Sequence, residues 1–348
     1  MKQPHSCWPL FTSDLALARS WLEPQLQKAP VATRTAHQAL SLGLVAAIET
    51  MLERQDHLEA QAIAQLSFRL ARLQSLPNPY NSLIPASLKT STERAIAESL
   101  WKASPLKVSL NGGIGDHLEA LSVLIPWAQG HEISLALHTS QSRGKQLSCV
   151  LRSHPQLRLG APWGLPVMAL RGWIKDHAEI NYSPWLKLIT TSIKLSKWLC
   201  CWRAAGAGDR FSAHCRSVPF YLVINFYRQL LNNSPLAIID LSDWQPWEKA
   251  QLRSIGVQTH DPSRGDLADL AKLVRNSHVI SIDTALAHLC AALGHPATVL
   301  LPVFADERWV ELHKPNNSYG RWLRLERNIH FGDWRLSLDR LLCILLNS

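Results

Sequence analysis

The sequence predicts an α/β protein in which two Rossmann-like strand–helix series follow one another, with a cleft between them and a helical appendage in front. Three observations carry this. From residue 106 onward, short apolar runs alternate with longer amphipathic stretches, the texture of βαβ units and a parallel sheet. The alternation restarts near residue 197 with a second set of strands and helices. Before residue 76 the pattern is different: Ala and Leu recur at three- and four-residue spacing, which is helical. The expected organisation is therefore a helical appendage over 1–85, a first Rossmann-like domain over 86–195 and a second over 196–348.

A chain of 348 residues has room for two or three domains at about 150 residues each. With 47% hydrophobic and 18% charged residues, it can bury cores and is not a disordered chain. No apolar run reaches the ~18 residues of a membrane span. Met1 to Leu10 carries Pro4, His5 and Pro9 where an export signal would have an apolar core, so the expected location is the cytoplasm. The 7 cysteines are odd in number and scattered without a CxxC pair, which suggests neither a disulfide framework nor a zinc site. Cys200 and Cys201 read as small core residues. A net charge of +9 favours anionic partners such as nucleotides, phosphorylated sugars or an anionic membrane surface. No block of consecutive Lys and Arg is present, so nucleic acid is not an expected partner. The 14 tryptophans supply core anchors and rings able to stack on a ligand.

The elements follow in order. Residues 33–54 and 59–73 predict a helical hairpin broken at Gln55-Asp56-His57. It resembles one tetratricopeptide unit, with Leu42, Gly43 and Ala60 near the small and apolar positions, but an array needs about three repeats. A helical cap on the following domain is the simpler reading. Residues 77–87 are a proline-rich linker. Thr90 and Glu93 have capping-box spacing and predict a short helix starting there. The first α/β series is a strand over 106–110, a glycine turn over 111–116, a helix over 117–128, a strand over 133–138, a helix over 142–153 and a strand over 165–170. The second is a strand over 198–202, a loop to 217, a helix over 219–231, a strand over 236–240 and helices over 247–255 and 267–275. It closes with a strand over 278–283, a helix over 284–293 and a strand over 297–301.

Three motifs carry chemistry. Asn111-Gly112-Gly113-Ile114-Gly115-Asp116 joins a strand to a helix. Glycines there allow tight turning and close approach of backbone to a ligand. The spacing is neither the dinucleotide fingerprint nor a P-loop. Asp116, at the helix start, is either an ordinary cap or a carboxylate able to act as general base. The second motif is Ser281-Ile282-Asp283-Thr284-Ala285-Leu286-Ala287-His288. Thr284 and the N–H groups of Ala285 and Leu286 form a helix start that suits a diphosphate, and His288 lies on the same helical face four residues after Thr284. The bland alternative is a capped helix with one core histidine. The third is the loop 203–217, with Arg203, Arg210, His214 and Arg216 at the carboxyl end of a strand. No Asp-x-Asp pair is present for a divalent metal, and no G-x-S-x-G elbow for a hydrolase.

These residues resemble heptosyltransferase-like glycosyltransferases (glycosyltransferase family 9), in particular the branch associated with tetratricopeptide repeats. The stretch 277–309 carries Asp283, Thr284 and His288, then the strand ending in Leu301-Pro302, then Asp306 and Trp309. The stretch 318–334 ends in Gly332-Asp333-Trp334. In the first half, GGIGDHLEALSVLIPWA at 112–128 is similar to the family's acceptor-side loop and helix, and LPVMALRGW at 165–173 to a mid-domain strand. Coverage runs from about 106 to 346.

The resemblance implies a GT-B fold, two Rossmann-like domains facing across a cleft. It implies inverting transfer from a nucleotide-diphosphate sugar to a hydroxyl, without metal and without a further cofactor. It implies that Asp116 is the base, in an acceptor-side loop with Asn111, Gly112, Gly113 and Gly115. It implies a donor site at Asp283, Thr284, Ala285 and His288, with Pro302 beside it. The family's Trp-x-Gly-Asn loop is here Trp202-Arg203-Ala204-Ala205-Gly206, so Arg203 or Arg216 has to supply the positive charge. Implied partners are a nucleotide sugar and a glycan, lipid-linked or protein acceptor, and peripheral membrane association is compatible. The competing readings are a non-catalytic nucleotide-sugar or glycan-binding protein and a GT-B nucleotide-sugar epimerase. Asp116 favours the transferase, because binding alone needs no carboxylate there.

Overall fold

The structure is a computed structural model of the chain; it describes residues 86–110, 113–141, 144–147, 154, 156–177, 184–186, 195–204, 216–260, 267–302, 309, 320–328 and 333–346. The helical appendage expected over 12–75 and most of the proline-rich linker lie outside these residues. The first described helix, α1 (Ala86–Lys102), spans 17 residues. Thr90 and Glu93 therefore lie inside it and do not start it. The preceding Ala86-Ser87-Leu88-Lys89 holds nothing that stops a helix, and burial of Thr92 and Ile96 against the body of the protein extends it.

The first sheet has four strands: β1 (Leu106–Ser109), β2 (Leu135–His138), β3 (Leu157–Leu159) and β4 (Leu165–Pro166), in the order β3-β2-β1-β4. All pairings are parallel. α2 (Ile114–Gly130) links β1 to β2, and α3 (Val167–His177) follows β4. The strand expected over 165–170 is thus mostly helix. Val167, Leu170, Arg171 and Ile174 are buried at helical spacing, and a short apolar run fits either state until its partners are known. α2 and α3 are joined by an ion pair in which the Arg171 guanidinium donates to the Glu119 carboxylate, both almost fully buried.

The second sheet has six strands: β5 (Lys197–Cys201), β6 (Ala237–Asp240), β7 (Gln258–Thr259), β8 (Ser277–Ile282), β9 (Ala297–Leu301) and β10 (Leu323–Arg327). Their order is β10-β9-β8-β5-β6-β7, again wholly parallel. Numbered within this half, that is the doubly wound 3-2-1-4-5-6 order. The helices are α4 (Phe220–Asn233), α5 (Pro246–Ser254), α6 (Leu267–Arg275), α7 (Ala285–Leu293) and α8 (Arg335–Leu346). The expected pair of Rossmann-like series is present.

The two halves meet along α2 and α7. Leu118, Leu121 and Ile125 of α2 belong to the same buried cluster as Leu286, Leu289 and Leu293 of α7, with Val108 of the first sheet and Val279 of the second. Gly115 makes the approach close. A Cβ there would lie 3.0 Å from His288 Cδ2 and 3.3 Å from Ala285 Cα. The segment 184–186 fastens the seam: the N–H groups of Trp185 and Leu186 donate to Ala292 O at 3.0 and 2.9 Å. The Trp185 indole donates to Ser122 Oγ of α2 at 2.9 Å. A second cluster, including Trp202, Tyr227, Trp334 and Leu338, lies between the second sheet and α4 and α8. Cys200 and Cys201 are buried as expected, and burial pushes the Cys201 thiol up to about 12, which makes it inert at neutral pH.

His295, just after α7, is buried with Nε2 2.9 Å from the Ser277 carbonyl. Burial foremost, and Arg275 nearby, hold its pKa below 6.5; burial lowers that of His278 too. The unfolded chain then binds more protons in the window below 6.5, so stability is full above it and is lost as pH falls through it. The urea midpoint is expected to drop between pH 7.5 and 5.5. His295→Gln keeps a donor for Ser277 and should flatten that slope; an unchanged slope would assign it to other groups.

Candidate functional site

In a doubly wound sheet, ligands bind outside the carboxyl ends of the strands where the winding direction reverses. Here that point lies between β5 and β8. β8 ends into Asp283 and Thr284, and β5 into Trp202 and Arg203. Thr284 is the N-cap of α7 with extended backbone, φ −142° and ψ 174°, and its side chain makes no capping bond. Its hydroxyl instead lies 3.0 Å from Ser281 Oγ. Thr284 therefore leaves the first-turn N–H groups uncapped by its own side chain, the arrangement that gives a helix start its affinity for anions.

Asp283 is 4% exposed and sits between two basic side chains. Arg216 donates through Nη1 to the Asp283 carbonyl at 3.0 Å and to its carboxylate at 3.4 Å. His288 Nε2 lies 3.8 Å from the other carboxylate oxygen. The imidazole is stacked on the fully buried Trp309, ring centroids 5.0 Å apart at 28°. Asp283 thus holds Arg216 over the start of α7 and His288 within its first turns. Pro302 is buried directly after β9, the strand beside β8.

The structure separates the two arginines. Arg203 pairs with Glu248 Oε2 at 3.3 Å, and its guanidinium lies over the Trp244 ring at 5.7 Å. Arg203 is therefore drawn toward the β6–α5 side, and it is Arg216 that reaches Asp283. The partner of Arg203 there, Glu248, is the first-turn acid of α5. Arg210 and His214 lie outside the described residues.

A buried network that the sequence reading missed fixes the ends of β5 and β6. The Asp240 carboxylate accepts from Tyr227 Oη at 2.6 Å, Ser242 N at 2.6 Å and Trp244 Nε1 at 3.1 Å. Trp202 donates its indole N–H to Tyr227 Oη at 2.6 Å and its backbone N–H to Ser242 Oγ at 2.8 Å. Burial raises the pKa of Asp240, and these hydrogen bonds oppose the rise. The five residues lie up to 42 positions apart (244 − 202), and no local pattern marks them.

On the other side of the seam, α2 begins at Ile114 with Gly113 as N-cap. Asp116 is the third residue of the helix, and its Oδ2 accepts from Gly113 N at 2.7 Å. The capping duty considered for Asp116 is real. Asn111 and Gly112 lie outside the described residues. Because Gly115 lies so near Ala285 and His288 that a Cβ would crowd them, the starts of α2 and α7 converge, each presenting its positive dipole end. The geometry brings together Gly113, Gly115, Asp116, Asp283, Thr284, Ala285, His288 and Arg216.

No family model matches the chain, and no curated protein matches it. Solved structures do. TibC of enterotoxigenic E. coli H10407, an iron-containing dodecameric glycosyltransferase, is 15% identical with a TM-score of 0.42 over 66% of this chain and 64% of its own. E. coli heptosyltransferase WaaC with ADP-2-deoxy-2-fluoro heptose is 14% identical with a TM-score of 0.44, over 70% of this chain and 100% of its own. The chain is similar to heptosyltransferases. E. coli ADP-heptose LPS heptosyltransferase II is a third such match, at 11% identity and a TM-score of 0.46 over 69% and 97% of the two chains. The chain spans about two thirds of the length of TibC.

Among the described residues, no group of three or more His, Cys, Asp or Glu side chains is arranged to hold a metal ion, and no helix is long and apolar enough to cross a membrane.

Proposed function

We propose that the chain is a glycosyltransferase that moves a sugar from a nucleoside-diphosphate sugar to a hydroxyl acceptor, with inversion and without metal. The close approach of Gly115 to Ala285 and His288, which leaves too little space for a Cβ, is the observation that carries this reading. It sets the helix bearing Asp116 against an uncapped helix start at the switch point of the second sheet.

In this reading the half over 196–348 holds the donor. The diphosphate accepts hydrogen bonds from the N–H groups of Ala285 and Leu286 and the Thr284 hydroxyl, and Arg216 and the α7 dipole offset the charge that grows on the leaving group. The half over 86–195 presents the acceptor. Asp116 takes the proton of the attacking hydroxyl as the new glycosidic bond forms and the bond to the diphosphate breaks. Base and phosphate site on opposite halves allow in-line displacement, which inverts the anomeric centre. A cytoplasmic enzyme acting on a glycan, lipid-linked or protein acceptor fits this chemistry, and the charge of +9 would favour an anionic membrane surface. One observation favours the second reading, a binding protein of the same fold: the Gly113–Asp116 bond gives the carboxylate a task without chemistry.

The donor site is tested by calorimetric titration of ADP and UDP in excess EDTA. At least one should bind, and Arg216→Met should weaken it about tenfold or more, the scale of a lost charge-assisted hydrogen bond. A melting curve controls for folding. Equal binding by the variant, or binding only with added magnesium or manganese, would remove this donor site.

A further inference from the structure

The loop between β3 and β4 is built to hold a tryptophan out of the protein. Trp163 is 65% exposed, although the residue that follows it is tightly fixed. Gly164 N donates to Ser109 Oγ at 2.8 Å, and the same hydroxyl donates back to Gly164 O at 3.1 Å. Ser109 is the fully buried last residue of β1. A Cβ on Gly164 would lie 2.3 Å from the Lys107 backbone, so only glycine lets the loop lie this close to β1. The other end of the loop is held as well: Gly160 N and Ala161 N both donate to Leu137 O, at 3.1 and 3.3 Å.

Trp163 also has a polar neighbour. Its ring meets that of His138, the last residue of β2, edge-on at a centroid distance of 5.6 Å. His138 Nδ1 lies 2.9 Å from the Ala161 carbonyl. A carbonyl only accepts, so Nδ1 carries a hydrogen, and in the neutral ring Nε2 is then the nitrogen able to accept one. Among the described residues no group pairs with that Nε2.

We propose that Trp163 and His138 form an acceptor subsite that takes the pyranose ring of a glycan. This rests on the glycosyltransferase reading: with the diphosphate at α7, the acceptor must come from the half that carries Asp116. β1, which the loop is tied to, leads directly into the turn before Asp116. The C–H face of a pyranose packs on an indole face, and a ring hydroxyl donates to an imidazole nitrogen. Of the three acceptor classes that the sequence resemblance implies, the platform selects a sugar.

The test uses the full chain labelled with 5-fluorotryptophan, with the Trp163 fluorine signal identified by its loss in Trp163→Phe. Cellotriose and maltotriose are the probes. At least one should shift the Trp163 signal saturably. Trp163→Ala should weaken that saccharide about tenfold, the scale of one ring contact, while ADP and UDP binding stays unchanged. A Trp163 signal that ignores both saccharides, or that responds only to the concentration of the protein itself and so marks a contact between copies, would overturn the subsite. Loss of nucleotide binding in Arg216→Met is read separately, so failure of the donor site and failure of this platform are distinguishable.

Discussion

Asp116→Asn is expected to fold, to bind nucleoside diphosphate as the parent does, and to lose turnover by the roughly 10²–10⁴-fold that a general base contributes. Asparagine keeps the size of the side chain and an oxygen to accept from Gly113 N, which Asp116 does at 2.7 Å. What it cannot do is take a proton. Donor affinity should hold, because the proposed phosphate groups belong to the other half. If capping were the whole of the residue's work, the variant would lose at most about 1 kcal/mol of stability and turn over normally per folded molecule. Steady-state transfer assays with a melting curve as control separate the two outcomes. A folded variant with parental turnover would favour the binding-protein reading.

The second large effect concerns stability. Arg171→Met should destabilise the chain by about 3–5 kcal/mol, the usual cost of leaving one partner of a buried ion pair without the other. Arg171 and Glu119 are each about 1% exposed at the side chain, so water cannot take over from the missing guanidinium. Adding Glu119→Leu should restore most of the loss, since an apolar pair of similar volume has no buried charge to compensate. Urea unfolding of the two single variants and the double one gives the coupling. A single-variant cost below about 1 kcal/mol would mean that the Glu119 carboxylate relaxes to solvent.

Much of the fold was legible because its elements are locally consistent. α6 and β9 have the bounds their apolar spacing predicts, and β8 and α7 begin and end within a residue of it. The Asp-Thr helix start could be read because a strand end, a small N-cap residue and an apolar helical run leave a short contiguous signature. Features fixed by distant partners could not be read. β3 has three residues and β4 two, too few to show a period. α3 looked like a strand because its apolar face begins with a run that either state could bury. Nothing local tells Arg216 from Arg203, whose positions are decided by Asp283 and Glu248. The Asp240 network joins residues from two strand ends and a helix, and Trp163 reveals itself only once its exposure is known.

The seam between α2 and α7 limits how such a chain can change over generations. Gly115 on one side fits Ala285 and His288 on the other with no room for a methyl group to spare, and Trp185 is bonded to both helices. The two halves are therefore not interchangeable cassettes. Grafting the second half of a relative onto this first half would bring a foreign α7 against Gly115, Leu118 and Leu121. The graft succeeds only if α2, the segment 184–186 and α7 travel together. Diversification of specificity is thereby directed away from recombination of whole halves and toward exposed rim positions such as Trp163, whose side chain can vary without disturbing the joint.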